Sequence, residues 1–149
     1  MAEIGALANI AQVIGAGLAL SKTLYDFATV LNIAGRDVNA LAQEVGLLSS
    51  ALQQVQSTLT EAKSYRLSLS AIQTAEDAKD RAQFIFEDLE ATIKKFQERD
   101  VNLDLQARIK WVFRGKRVLL VREELKTCTT TLHLMLTTLV LAESFSSKR

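Results

Sequence analysis

The side chains with the most evident reactivity in this 149-residue chain are one thiol and one imidazole, Cys128 and His133. A cysteine nucleophile needs a base within hydrogen-bond reach, but residues five apart on a helix point about 140° away from each other. Cys128 also falls on a row of apolar residues, which favours a buried structural thiol. One histidine and one cysteine cannot complete a zinc site within a monomer. The pair therefore predicts neither catalysis nor a metal site.

The remaining polar motifs add no catalytic pattern. Residues 15–23, GAGLALSKT, end like a phosphate-binding loop, but Ala16 and Ser21 stand where that loop requires glycine. Two acidic pairs also occur, at Glu76 with Asp77 and at Glu87 with Asp88. They fit solvated helix faces better than paired catalytic carboxylates. We therefore expect a non-enzymatic protein without a cofactor, a metal or a small-molecule substrate.

Seven basic and aromatic residues cluster in the second half of the chain, and we name them the basic-aromatic segment. They are Arg108, Lys110, Trp111, Phe113, Arg114, Lys116 and Arg117. In one interpretation Trp111 and Phe113 cap a helical core. In another the rings lie at headgroup depth and the cations attract anionic lipid, at about 1 kcal/mol each. Nucleic-acid binding is the third, but no recognised reader motif accompanies the cations, so no nucleic-acid partner is predicted.

The elements that must position these residues are helices. The chain has no proline and six glycines, and its apolar residues recur at helical spacing almost throughout. This pattern predicts an all-α, single-domain bundle of four main helices over residues 1–143. A short helical or irregular joint is expected around residues 104–114. Residues 144–149 are expected to form a frayed tail or the start of a linker.

The first helix is expected to run to about residue 33 and to contain a charge-free stretch, residues 4–20. Its apolar residues form two stripes on opposite sides: Ile4, Leu7, Ala11, Ile14 and Leu18, then Val13, Leu20, Leu24, Phe27 and Leu31. A ridge of small residues, Ala8, Ala11, Gly15 and Ala19, would let neighbouring helices approach closely. Because Ala and Gly contribute little transfer energy to lipid, a constitutive membrane anchor is disfavoured. The pattern favours a buried central helix in the resting protein.

The second helix, ending near Glu61, carries a heptad seam formed by Val38, Leu41, Val45, Leu48, Leu52, Val55 and Leu59. The seam fits either an intermolecular coiled coil or an intramolecular bundle, and the bundle is favoured because only three repeats are present. After a predicted loop over residues 62–69, Ser70 with Gln73 matches a capping box for the third helix.

The third and fourth helices each show one apolar stripe. The third contains Ala75, Ala78, Ala82, Ile85, Phe86, Leu89, Ile93 and Phe96. The fourth, expected between Gly115 and about Glu143, contains Val118, Val121, Leu125, Cys128, Leu132, Met135, Leu136 and Leu139. On the third helix, Asp77 with Arg81 and Glu90 with Lys94 have i,i+4 spacing, which usually marks a solvated face.

The charges are unevenly distributed although the net charge is only +1. Residues 1–93 carry six Lys/Arg against eleven Asp/Glu, whereas residues 94–126 carry ten against five. Such polarity suits self-association or contact with an anionic surface. The acidic start, Met1-Ala2-Glu3, does not match a secretory signal, and a single cysteine excludes an internal disulfide, so we expect a cytoplasmic protein.

The start and the end of the chain together resemble a known family. The matching pieces are MAEIGALANIAQVIGAGLALSKTLYDFATVLNIAGRDVNALAQEVGLLSSAL and RIKWVFRGKRVLLVREELKTCTTTLHLMLTTLVLA. Their spaced apolar residues and the tryptophan-aromatic-basic joint resemble the fungal HeLo-like domain at the N-terminus of many STAND (NACHT-type) immune receptors. Members often have proline after the tryptophan, whereas Val112 follows Trp111 here.

The resemblance implies a bundle related to HeLo cell-death domains, to the four-helix domain of the mixed-lineage kinase-like pseudokinase and to plant resistance-protein coiled-coil domains. In those systems a sensor domain oligomerises, the helical domains cluster and an N-terminal helix acts on the membrane. The corresponding membrane-active residues here are Ile4, Leu7, Ile10, Ile14 and Leu18, with Gly5, Gly15 and Gly17 permitting release and close packing. The implied partners are further copies of the chain, a sensor (NACHT-type) domain in cis or trans and an anionic membrane. The alternative is a helical adaptor without membrane activity.

Overall fold

The computed structural model describes residues 2–31, 35–61, 65–97 and 102–147, with side chains described at 9–31, 35–60, 70–97, 102–141 and 144. Within these ranges the chain forms five helices and no strand. They are α1 (Ala2–Thr29), α2 (Gly35–Glu61), α3 (Tyr65–Gln97), α4 (Leu103–Arg114) and α5 (Lys116–Ser147). The all-α bundle of four long helices is confirmed. The joint between the last two is a helix.

The four long helices alternate in direction. Ser21 of α1 bonds Ala42 of α2, and Gly17 lies against Ser49, so α1 and α2 are antiparallel. Arg81 pairs with Glu124, and Asp88 pairs with Arg117, so α3 and α5 are antiparallel as well. The result is an up-down-up-down bundle, with α4 at the end where α2 begins.

The second helix, rather than the first, is the central element. α2 packs against all four other helices, whereas α1 packs mainly against α2 and α3. The prediction of a buried central first helix is therefore wrong. The physical reason lies in the side chains on the outward side of α1, which are small (Ala11, Gly15, Ala16, Ala19) or charged (Lys22, Asp26) and gain little from burial. The seam of α2 is flanked by further buried residues, Ala42, Ser49 and Ala51, which widen its buried face.

The predicted stripes of the other helices form the core. The seven seam residues of α2 are buried, and so are the stripe residues of α3 except Phe96, which is half-buried. On α5, Val118, Leu125, Cys128, Leu132 and Leu139 are buried and the other three stripe residues are half-buried. The intramolecular interpretation of the heptad seam is thus confirmed.

Several predicted helix ends are wrong. α1 ends at Thr29, earlier than expected, and residues 32–34 lie outside the described part of the chain. α3 begins at Tyr65, so Ser70 lies inside the helix, where its carbonyl accepts the Thr74 hydroxyl at 3.1 Å. The capping box is therefore absent. α5 continues to Ser147, so residues 144–147, predicted as a tail, are helical.

The short helix α4 has well-defined ends. The Asn102 side chain caps its first turn by accepting the Leu105 N–H at 2.8 Å. Leu105, Ile109 and Phe113 then point into the core. Gly115 follows, and a Cβ atom there would lie 3.2 Å from the carbonyl oxygens of Trp111 and Val112, so a side chain would crowd the last turn of α4.

Candidate functional site

The predicted membrane-active residues of α1 divide between the core and the surface. Ile10 and Ile14 are buried, whereas Leu18 is 45% exposed and Gly15 faces solvent. The side chains of Ile4, Gly5 and Leu7 lie outside the described residues. The first predicted stripe is therefore not one continuous buried face, because Ala11 and Leu18 point outward.

Gly17 is a point of close contact between α1 and its neighbours. A Cβ atom there would overlap the Ser49 hydroxyl and lie 2.7 Å from Phe86 Cε2. One turn further, Ser21 Oγ donates to the Ala42 carbonyl at 2.8 Å beside Gly46. Small residues on both helices allow this spacing. A Cβ atom at Gly15, by contrast, would have no atom within 4 Å.

The basic-aromatic segment is largely exposed. Trp111 is 80% exposed and Phe113 only 1%, so Phe113 caps the core and Trp111 does not. The two rings lie two residues apart on a helix and hence point in directions about 160° apart. The exposed cations are Arg108, Arg114, Lys116 and Arg117, while Lys110 is half-buried. The interpretation in which both rings cap the core is wrong for Trp111.

Two of these cations form ion pairs with other helices. Arg114 Nε lies 2.9 Å from Asp37 Oδ2 of α2, and Arg117 pairs with Asp88 of α3. Both arginines are more than half exposed, so each pair contributes about 0–1 kcal/mol. Lys116 has no ion-pair partner among the described side chains. The segment therefore presents cations that an anionic ligand can reach.

The structure does not bring the two predicted membrane sites together. Arg114 lies beside Asp37 at the start of α2, whereas Gly17 lies beside Ser49. Because α1 and α2 are antiparallel, the residues that precede Gly17 extend toward the end of α2. At ~1.5 Å per residue, the rise along α2 from Asp37 to Ser49 and then along α1 from Gly17 back to Ala2 places the start of α1 roughly 40 Å from Arg114 along the bundle. The two sites occupy opposite ends.

A charged contact that was not predicted joins α2 and α5. Arg122 Nη2 lies 3.0 Å from Glu44 Oε1, and Arg122 Nε lies 3.1–3.2 Å from both carboxylate oxygens. Lys126 Nζ approaches the same carboxylate at 3.5 Å. The hydrogen bonds that the Arg122 guanidinium donates to Glu44 raise its pKa further above the usual value. The one feature of the sequence that indicates this contact is an acidic residue, Glu44, beside the heptad seam.

The thiol and the imidazole are separated as expected from their spacing. Cys128 is 6% exposed, and this burial raises the pKa of its thiol, which makes it a poor nucleophile. His133 faces solvent. Among the described side chains no group of three or more His, Cys, Asp or Glu residues could hold a metal ion. Cys128 is thus a buried core residue, as predicted.

The length and apolar character of the helices bear on whether they could span a membrane. Across the described ranges, none combines the length and the apolar character that crossing a bilayer requires. Comparisons with protein-family models, curated proteins and solved structures found no match to this chain.

Proposed function

We propose that this chain is a non-enzymatic signalling domain that oligomerises and perturbs anionic membranes through α1. The observation that carries the proposal is the peripheral position of α1 combined with the lack of charge over residues 9–21. Leu18 within this stretch already faces solvent, and the exposed charges of α1, Lys22 and Asp26, follow it. This part of α1 can exchange its neighbours for lipid without desolvating a charge.

The free energy of that exchange depends on whether water or lipid surrounds the apolar side chains of α1 after they leave the core. Ile10, Val13, Ile14 and Leu20 are at most 6% exposed, and burial of each contributes about 1.5–3 kcal/mol. Detachment of α1 into water loses this contribution. Detachment into the acyl boundary of a bilayer restores most of it, because lipid shelters apolar surface as a protein core does. The membrane therefore lowers the free-energy cost of opening the bundle.

Because the basic-aromatic segment and the start of α1 lie at opposite ends of the bundle, they contact the membrane one after the other. Trp111 and the surrounding cations contact anionic headgroups first, since they are exposed in the closed bundle. α1 then swings away from α2 and α3 to reach the same surface. Since its Ala and Gly contribute little transfer energy, α1 lies in the interfacial plane rather than crossing alone.

The resemblance to the HeLo-like domain supplies the biological context of the proposal. In that context the chain acts in fungal immunity, in programmed cell death and in heterokaryon incompatibility. A sensor (NACHT-type) domain, in cis or in trans, clusters several copies. The domain rests in the cytoplasm and moves to the plasma membrane on activation. Clustering favours opening because each copy adds its own membrane contacts.

The alternative function is a helical adaptor or oligomerisation module of an immune receptor without membrane activity. One observation favours it specifically. The outward face of α5 exposes Leu134, Val140 and Leu141, each by more than half, far from the basic-aromatic segment. An adaptor predicts self-association or partner capture without vesicle binding.

Dye release from vesicles tests the proposal. We expect leakage from anionic vesicles and little from neutral ones, with several-fold less leakage for Leu18→Glu. Leu47→Glu is the matched control, because Leu47 is 59% exposed on α2 and lies outside the proposed site. Thermal melts of both variants establish that they remain folded. Absence of leakage at high protein density, or equal leakage from Leu18→Glu and wild type, would contradict the membrane role.

A further inference from the structure

The last helix is apolar on two opposite sides. Its inner row, Val118, Leu125, Leu132 and Leu139, is buried in the core. A second row with the same seven-residue spacing runs along the outside, and we name it the outer strip: Leu120, Thr127, Leu134 and Leu141. The three leucines are 60%, 65% and 53% exposed. A helix at the corner of a bundle needs only one such row, so the outer strip has no structural use in the monomer.

Three threonine hydroxyls in or beside the outer strip already donate hydrogen bonds to carbonyls of their own helix. Thr127 Oγ1 donates to the Glu123 carbonyl at 2.9 Å. Thr137 and Thr138 bond the carbonyls four residues earlier, each at 3.0 Å. A hydroxyl that is already bonded to its own helix loses little when water is removed. The strip therefore behaves as a more apolar surface than its composition indicates.

The distribution of charged residues on α5 indicates what binds the outer strip. From Thr127 to Leu141 the chain carries no Asp, Glu, Lys or Arg. Over this part of the strip an anionic bilayer finds no cation to attract it, whereas a second copy of the same surface meets no like charge. The outer side of α3 carries exposed charges of both signs, among them Asp77, Glu87 and Lys94, which would lose water in any pairing with a second copy. The outer strip, which loses none over Thr127–Leu141, is thus the face of these two that a second copy covers at less cost.

We propose that two copies of this chain pair through the outer strips of α5, in antiparallel orientation about an axis near Thr130 and Thr131. This inference names the surface for the self-association in the proposed function and rests on that proposal for its biological role. The antiparallel pair places Leu120 opposite Leu141 of the second copy. It also sets Lys116 and Arg117 near the C-terminal end of the other helix, where the helix dipole favours cations. A parallel pair would instead align Glu123 with Glu123.

The size of the strip makes the pairing dependent on concentration. From Leu120 to Leu141 it extends about 32 Å at ~1.5 Å per residue, and with a width of about 10 Å it covers roughly 300 Å² per copy. Stable complexes bury about 800 Å² per partner. The dimer is therefore weak in dilute solution. It forms when tethering raises the effective concentration to the order of millimolar.

Cysteine cross-linking on tethered protein tests the proposal. The chain is held by a His tag on neutral phosphatidylcholine vesicles that contain a nickel-chelating lipid, at increasing surface density. Under mild oxidation, a mixture of Leu120→Cys and Leu141→Cys chains should form mixed dimers, whereas either variant alone should form few. Wild type is the blank, because its only cysteine, Cys128, is buried.

A second substitution tests whether the cross-linked dimer forms through the outer strip. Adding Leu134→Glu to both chains should lower the mixed dimer yield at least several-fold. Leu103→Glu, which changes a 75% exposed leucine on α4, should leave the yield unchanged. Far-UV circular dichroism melts show whether each variant is folded.

The outcomes separate this inference from the proposed function. Dominant cross-links within a single variant, no cross-links at any density, or a yield insensitive to Leu134→Glu would each overturn the inference. Any of these results combined with leakage of anionic vesicles by wild type leaves the membrane role standing. Mixed dimers that depend on Leu134, without leakage, support the inference and contradict the membrane role.

Discussion

Arg122 of α5 holds Glu44 of α2 through both carboxylate oxygens, across 78 positions of sequence. The two side chains are only 24% and 10% exposed. A bidentate pair at this depth fixes the rotation and the register of α5 against α2 more firmly than apolar contacts do, because its geometry is directional. Since α2 is the central helix, this contact positions α5 and hence its outer strip.

Loss of the Glu44 charge should destabilise the fold. Glu44→Gln leaves the Arg122 guanidinium half-buried without its counter-charge, and we expect a loss of about 1–3 kcal/mol in the free energy of unfolding. Urea denaturation measures it. Arg81→Met is the matched control, because the Arg81 and Glu124 side chains are 60% and 48% exposed, and it should cost about 1 kcal/mol or less. Equal losses for the two variants would show that the Glu44 contact contributes no more than a surface pair.

Gly17 and Gly15 should respond oppositely to alanine. Gly17→Ala forces α1 away from Ser49 and Phe86, and we expect a loss of about 1–3 kcal/mol in stability. Gly15→Ala meets no atom within 4 Å and should stabilise the helix by about 0.5–1 kcal/mol. Chemical denaturation gives both values, and hydrogen exchange should show the loosening of α1 in Gly17→Ala. A neutral Gly17→Ala would contradict the close contact.

The Cys128 thiol should make stability fall at alkaline pH. Burial raises its pKa in the folded state above the ordinary value of 9.0. Below pH 9 the thiol is protonated in both the folded and the unfolded chain, so its contribution is constant. Above that, the unfolded chain releases the proton first, and stability declines until pH passes the folded pKa. The measurement is the free energy of unfolding against pH.

Cys128→Ala provides the control for the alkaline effect. It lowers stability at all pH values by leaving a small cavity, but it should remove part of the alkaline decline. An unchanged alkaline slope would show that the thiol does not contribute. Alkylation of Cys128 should also be much slower in the native protein than in urea, because the side chain is buried.

Trp111 should report membrane contact directly. It is the only tryptophan in the chain and is 80% exposed, so its fluorescence should be that of a solvated indole. Under the proposed function, anionic vesicles should shift its emission to shorter wavelength and reduce quenching by acrylamide, whereas neutral vesicles should not. Arg108→Gln combined with Lys116→Gln should weaken the response by removing cations beside the ring. An unchanged spectrum at saturating anionic lipid would count against headgroup contact by this segment.

Sequence periodicity was sufficient to predict the fold class and most of the core. The seam of α2 from Val38 to Leu59 and the buried row of α5 were both identified, since a repeat near 3.6 residues marks an apolar helix face that can be buried. Helix ends were less predictable. Ser70 and Gln73 have the residue types of a capping box, but α3 begins at Tyr65 and continues through them, because residue types typical of a cap do not by themselves fix where a helix begins.

The amino-acid sequence by itself determined which residues of each long helix can be buried, that Cys128 belongs to the core and that the cations concentrate near α4. Only the tertiary structure decided which of the two apolar sides of a helix is covered by neighbouring helices. Periodicity cannot distinguish a covered side from an uncovered one when the residues are small, so α1 was misplaced at the centre. Nor can it pair Arg122 with Glu44, because such contacts depend on the order of helices around the bundle. That order is set by the summed burial of all four long helices, a property that no single segment contains.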